Sequence, residues 1–396
     1  ENAPANNQIM RDQGTAAVVR YLNRKGGLPT NNFQLGSIEG ADNITGEAMN
    51  NTILVGRRSC YACPVQCKRE VKVDEPFIVD PRYGGPEYET IAALGSNCGI
   101  NDLKVIAKAN EMVAAYGMDS ISCGGAIAFA MECFERGLLT RADTGGVDLR
   151  FGNAPAMLEM VEQIAQRRGL GARLAEGVAR AAREIGHGAE EFALHVKGLE
   201  IPMHEPRWKQ GMGIGYVMSP TGADHCHNIH DSSYAVPNPV LEDMQALGNF
   251  EPLPVDDLSP AKMRLVSANA RWIHFLNSAV CCYFVMMGGR VGFQRVSELV
   301  NSVTGWDTSV SELMKVGERS DNLARAFNLR EGLTPEDDNL PQRFFAPHAS
   351  GPLEGVALDP EAFRQARESY YDMAGWPGGR PSPAKLSEMG IDWAAP

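Results

Sequence analysis

Cys60, Cys63 and Cys67 place three thiols within eight residues, in the order Cys-x-x-Cys-x-x-x-Cys. Thiolates at such spacing can hold three corners of a cubane iron–sulfur cluster, with the fourth ligand coming from a distant residue. Placed on a helix at about 100° per residue, the three fall within about 60° of one another on one face. The chemistry this predicts is one-electron transfer through a 4Fe–4S cluster. The order of spacings, two residues and then three, is the reverse of the radical-SAM order. Structural zinc usually takes paired Cys-x-x-Cys knuckles, and the sequence holds no second one. Zinc, or a plain helix face that uses small apolar cysteines, is the alternative. Arg57, Arg58, Lys68 and Arg69 flank the motif. Positive charge there favours a reduced cluster and can dock an acidic redox partner, or it is merely solvated surface charge. Adjacent Cys281 and Cys282 follow a helical signal inside an apolar run, as a buried fourth ligand would, whereas Cys98, Cys123, Cys133 and Cys226 read as core or pocket residues.

Two further groups of residues could move protons. Glu87 and Glu89 open a helical run that starts at Pro86 and stops near Gly95. A first-turn position stabilises the glutamate anion, so a role as general base needs burial to bring its pKa towards neutrality. The plain alternative is a pair of helix-start acids. The segment Asp224-His225-Cys226-His227-Asn228-Ile229-His230-Asp231 is dense enough in ligand side chains to suggest a separate zinc or iron site. His227 and His230 otherwise line a pocket or serve structure, and His187, His195, His204, His274 and His348 are isolated and given no chemistry. Gly84-Gly85, Gly124-Gly125 and Gly288-Gly289 would let backbone approach a bulky cofactor. No G-x-G-x-x-G or P-loop pattern occurs, which argues against a nicotinamide or ATP site.

The elements that position these residues read as helices. Apolar periodicity predicts them over 15–22, 103–115, 122–136, 156–169, 174–185 and 260–275, with strands only at 70–73 and 192–196 and a loop over 236–258. The fold class expected is mainly α and multihelical, with few short strands. The length of 396 residues favours two domains. Pro- and Gly-punctuated residues near 198–206 divide a domain 1–200, with the three cysteines and Glu89, from a domain 201–396, with His225 and Cys282. A net charge of −12 argues against nucleic acid or an anionic membrane as partner. No apolar run reaches the roughly 18–20 residues of a membrane span. The opening residues lack a secretory pattern and a starting methionine, so a fragment of a longer product is expected. Nine cysteines, an odd count with three so close together, suit a reducing cytoplasm better than a disulfide framework.

Several segments, in order, resemble the tungsten-containing aldehyde ferredoxin oxidoreductase family. They include Leu28-Pro-Thr-Asn-Asn-Phe33, Cys60-Tyr-Ala-Cys63-Pro-Val-Gln-Cys67, Gly85-Pro-Glu-Tyr-Glu89, Gly117-Met-Asp119, Lys197-Gly-Leu-Glu-Ile-Pro202, Gly222-Ala-Asp-His225 and Tyr370-Tyr371 with Gly375-Trp376. The resemblance covers the two helical domains that in this family follow a β-rich, pterin-gripping domain. It implies Cys60, Cys63, Cys67 and Cys282 as cluster ligands, since the pattern Asp-x-x-x-x-Cys-x-Phe falls on Asn277, Cys282 and Phe284. It implies Tyr88, Glu89 and His225 beside a tungsten, or molybdenum, bis-pterin centre, with His225 as electrophile or proton donor to the substrate oxygen. Gly117, Asp119, Asn277 and Cys282 would touch the pterin. Ala114 and Asn277 replace two acids of the family pattern, which weakens or changes those contacts. The implied activity is oxidation of aldehydes to carboxylic acids, with ferredoxin or an iron–sulfur subunit as acceptor; a homo-oligomer is compatible with it. Reduction of aromatic thioesters, oxidation of hydroxycarboxylates and a non-catalytic electron-transfer fragment are the other outcomes it allows.

Overall fold

The computed structural model describes residues 5–245, 247–249, 251–286 and 291–396, with side chains from residue 8 onward; Gly288-Gly289 and the first four residues lie outside the described residues. Among these, sixteen α-helices accompany four short strands in two separate antiparallel pairs, so the protein is mainly α as its sequence predicts. The chain forms two compact units. One comprises Gln8–Trp208 with Pro341–Ala357, the other Lys209–Leu340 with Leu358–Pro396.

In the first unit the helices start and stop where their caps dictate. Asp102 accepts the amides of Lys104 and Val105 at 2.9 and 3.3 Å and opens helix Leu103–Tyr116, which Gly117 closes in the left-handed conformation. Asp119 does the same for Ile121 and Ser122, both at 3.1 Å, and opens Ser120–Glu135. The latter helix is buried without a break from Ala126 to Cys133, which marks it as the centre of the unit. Helix Tyr88–Leu94 packs closely on it, because a Cβ at Gly124 would lie 2.5 Å from the Ala93 carbonyl carbon. A Cβ at Gly85 would likewise meet Val71 and Arg69, at 2.8 and 2.9 Å. The room these glycines leave is therefore taken by the chain itself, and not by a cofactor as the sequence suggests.

The expected helix over 174–185 is two helices, Gly169–Leu174 and Val178–Ile185. Gly177 between them holds φ 82°, a conformation costly for other residues, and the Val178 amide donates to Glu200 at 2.7 Å. The expected strand over 192–196 shrinks to His195–Val196, paired with Leu199–Glu200. Residues 341–357 complete this unit. Phe344 is fully buried, edge-on to Phe33 at 5.5 Å, and Arg343 makes a two-pronged 2.7 Å contact with the buried Glu132.

The second unit is built on Pro260–Ser278, started by Ser259, which packs on Val310–Arg330 and Pro360–Ala374. Lys262 of that helix is fully buried, with its ammonium 2.7 Å from both Asp231 and the Pro254 carbonyl. The expected loop over 236–258 contains a short helix, Pro239–Gln245. No single helix among the described residues is long and apolar enough to cross a membrane.

Candidate functional site

Cys60, Cys63 and Cys67 lie on the loop of a β-hairpin between Leu54–Arg58 and Lys68–Val71, and not on the helix their spacing suggests. Pro64 lacks the amide a helix would need, and Ala62 and Gln66, each immediately before a cysteine, take left-handed φ of 54°. The loop is pinned from behind. The buried Arg69 guanidinium donates to the carbonyls of Gln66, Arg11 and Asp12 at 2.8, 2.8 and 3.0 Å. Beside it, Gly14 has φ 65°, and a Cβ there would press on the Cys67 carbonyl at 3.1 Å.

Cys60 is exposed, Cys63 half-buried and Cys67 buried, and no disulfide joins the described cysteines. Burial works against the Lys68 charge, but Glu87, Cys67 and Cys60 outweigh it and raise the Lys68 pKa. Two thiols seven positions apart thus both favour the charge of one ammonium. Soft donors gathered on a pinned loop fit three corners of a 4Fe–4S cluster. The flanking cations are each engaged: Arg57 with Asp12 at 3.6 Å, Arg58 with Glu70, and Lys68 with Glu87 at 2.9 Å. Arg69 is structural and buried.

Lys68 leads directly to the acid–base group. Glu87 also accepts the Thr15 hydroxyl, and Thr15 Oγ1 accepts the Tyr88 amide at 2.8 Å, fixing the start of helix Tyr88–Leu94. Tyr88 is buried, donates its hydroxyl to the Met203 carbonyl, and lies 5.2 Å from the His204 ring. Burial, then the neighbouring Glu89, pushes its phenol well above the usual range. Glu89 accepts the Met203 amide at 2.8 Å through one oxygen, and its other oxygen is 3.1 Å from His204 Nε2. The two side chains are 12% and 7% exposed, so this carboxylate–imidazole contact lies out of bulk water. His204 carried no sequence assignment. The available signal was the density of titratable groups in His204-Glu205-Pro206-Arg207. Glu205 beside it is fully buried, 2.9 Å from Arg207 and 3.2 Å from His348.

Gly117 and Asp119 are exposed at the turn between the two capped helices. Each Asp119 oxygen accepts one amide and retains a second lone pair, so the residue fits a pterin amine; the exposed Ala114 offers no such acceptor.

His225, Asn277 and Cys282 belong to the second unit. His225 Nε2 is 3.4 Å from Cys226 Sγ, and its ring meets His230 edge-on at 6.3 Å. His227 instead stacks on His274, 5.2 Å away and 13° from parallel. The three histidines therefore do not gather, whereas Asp224, His225 and Cys226 of the same segment each offer a ligand atom within 4.8 Å of the others, as a metal site would require. Asn277 is exposed near the end of Pro260–Ser278. Beyond it the left-handed Val280 turns the chain, Cys281 is half-buried, and Cys282 is exposed where the apolar run suggested burial. Cys98, Cys123 and Cys133 are core residues, and burial pushes the Cys123 thiol up to about 12; Cys226 is exposed.

Residues 1–391 match the family model for aldehyde ferredoxin oxidoreductase, domains 2 & 3. A tungsten-containing aldehyde ferredoxin oxidoreductase of Thermococcus kodakarensis is 37% identical over 382 residues, covering 96% of this chain and 60% of the relative. The one from Pyrococcus furiosus is 36% identical with the same coverage. An aliphatic sulfonate oxidoreductase, WOR-like subunit, from Pyrococcus furiosus is 31% identical over 84% of this chain and 50% of its own length. Among solved structures, the active-site complex BamBC of benzoyl coenzyme A reductase with 1,5-dienoyl-CoA shares the fold, with TM-score 0.71 at 19% identity, covering 94% of this chain and 58% of that one. The chain thus spans 60% of the length of its aldehyde ferredoxin oxidoreductase relatives.

Proposed function

This chain belongs to the aldehyde ferredoxin oxidoreductase family, as its domains 2 and 3, and from that membership we propose that it serves in oxidising an aldehyde to a carboxylic acid. An aldehyde and water give the acid, two protons and two electrons. A tungsten, or molybdenum, bis-pterin centre supplies two-electron acceptance when bound. Cys60, Cys63 and Cys67, with Cys282 by the family pattern, would hold a 4Fe–4S cluster, which would supply one-electron transfer. Glu89 takes a proton from the attacking water, and His204 orients the carboxylate and shares that proton. His225 donates to the substrate oxygen, Tyr88 shapes the pocket wall, and Asp119 accepts from a pterin amine.

The observation that carries this reading is the secluded Glu89–His204 contact in the same unit as a pinned three-thiol loop. Aldehydes are the substrate class because the relatives at 36–37% identity bear that name. Ferredoxin, or an iron–sulfur subunit, is the acceptor, and it docks where Tyr61 stands fully exposed beside Cys60. A loop of thiols kept for metal supports a cytoplasmic setting.

The test is metal content with turnover on anaerobically purified protein. Four irons and one tungsten per chain, with aldehyde-dependent reduction of a viologen, support the enzyme. Iron without tungsten points to an electron-transfer module, and zinc alone defeats both. Glu89→Gln should keep both metals and lose turnover by about 100-fold or more; a wild-type rate removes Glu89 from the mechanism.

A further inference from the structure

The last rung of the cysteine hairpin sets two like charges side by side. Arg58 faces Lys68 across the strands, and side chains directly opposite project to the same face. Like charges so placed are destabilising, and each is drawn off to its own acid, Arg58 to Glu70 and Lys68 to Glu87. The two acids differ in what else they hold. Glu70 lies on the hairpin itself. Glu87 lies outside it, 2.9 Å from the Lys68 ammonium, and also accepts the Thr15 hydroxyl, whose oxygen takes the Tyr88 amide. Gly14, the residue before Thr15, sits against the Cys67 carbonyl. Lys68 therefore joins the cysteine loop to the start of the helix that carries Glu89, and Glu87 anchors it there.

The four cations flanking the thiols are not equivalent. Arg57 is engaged with Asp12, and Arg58 is 73% exposed, so water and salt screen its field. Arg69 is buried behind the loop, where burial and then Arg57 work against its charge while Glu87 and Cys67 favour it. Its guanidinium holds three carbonyls, so its removal would dismantle the loop. Lys68 follows Cys67 directly and is half-exposed. Burial opposes its charge, and Glu87, Cys67 and Cys60 favour it.

A cubane held by thiolates is an anion, and reduction adds one more negative charge. A cation beside it stabilises the reduced form more than the oxidised one and so raises the reduction potential. We propose that Lys68, held by Glu87, is the flanking cation that tunes the reduction potential of a cluster on Cys60, Cys63 and Cys67. The inference rests on the cluster reading and is independent of the substrate. Lys68 ligates no iron and acts by its charge; Glu87 is a positioning residue that keeps that charge at the loop.

The test is a redox titration of the full chain, reconstituted anaerobically with iron and sulfide, in which dithionite and mediators set the potential and electron paramagnetic resonance follows the reduced cluster. Lys68→Met should shift the one-electron equilibrium towards the oxidised cluster by about three- to tenfold, a fall of up to about 59 mV. Lys68→Arg, which keeps the charge, should stay near wild type, and Arg58→Met should move the potential less than Lys68→Met does. The Lys68→Met shift should shrink in high salt, and also in a Glu87→Gln background, where the ammonium is no longer held. Lys68→Gln is a second neutral variant in case methionine disturbs the loop, and iron content with unchanged g-values shows that the cluster is intact. Potentials unmoved by both neutral variants, or an Arg58→Met shift as large as that of Lys68→Met, overturn the inference and leave the cluster in place. An equal Lys68→Met shift with and without the Glu87 charge overturns the anchoring role. A wild-type chain that takes up no cubane defeats the cluster reading and this inference with it.

Discussion

At the scale of single residues, the assignment most open to trial is the fourth cluster ligand. Cys281 and Cys282 are neighbours, but the chain treats them differently. The Cys281 amide is tied back to the Leu276 carbonyl at 2.9 Å, so that residue still belongs to the helix end. Cys282 is the first residue beyond it, extended and exposed. Cys282→Ser should bleach the visible cluster absorption and lower the iron count, whereas Cys281→Ser should leave both largely intact. The opposite pattern would move the ligand by one position. Pro86 before Glu89 and Gly95 after it announce only the helix start that Glu89 occupies; the family resemblance is what singles it out as a site residue. His204 and His274 were not singled out, because their partners Glu89 and Asp321 are remote in the chain and only the fold brings them within 3.1 and 3.4 Å.

At the scale of elements, buried charge sets the largest expected effects. Burial alone would raise the Glu205 carboxyl, but Arg207 and His348 hold it down to about 2. A depressed carboxylate pKa adds stability above the ordinary value near 4.5, and that stability is lost as pH falls towards about 2. Glu205→Gln leaves the Arg207 guanidinium buried without a counter-charge and should cost about 3–5 kcal/mol in denaturant unfolding at neutral pH. It should also flatten the acid limb of the stability curve. A loss below about 1 kcal/mol would mean that Arg207 is neutralised by another group.

The same scale shows why some elements were readable and others not. Helix Leu103–Tyr116 declares itself locally through Asp102 and Gly117, and Val310–Arg330, which the sequence reading leaves unassigned, carries a capping box of Ser309 and Glu312 that marks its start. The cysteine loop has a spacing that suits a helix as well as a hairpin, and only Pro64 with two left-handed residues decides between them. The break at Gly177 depends on the Glu200 carboxylate, more than twenty positions away, so no local pattern reveals it.

At the scale of the whole molecule, the notable feature is that residues 341–357 belong with 8–208. They contribute the buried Phe344, the Arg343 partner of Glu132 and the His348 partner of Glu205. Losing a buried Phe costs about 3–5 kcal/mol, and an unpaired buried charge costs a similar amount. Together these rival the roughly 5–15 kcal/mol that a domain has in total. A variant carrying Arg343→Ala and Phe344→Ala should therefore melt earlier and become protease-sensitive within residues 8–208. Melting within a few degrees of the wild-type chain would show that the first unit does not depend on those two side chains. The arrangement also sets an order of events at the ribosome. The nascent first unit waits, with Phe33 lacking the Phe344 ring and Glu132 lacking Arg343, until the chain well past Trp208 has reached Pro341–Ala357, and a cell making this protein must shelter it through that interval.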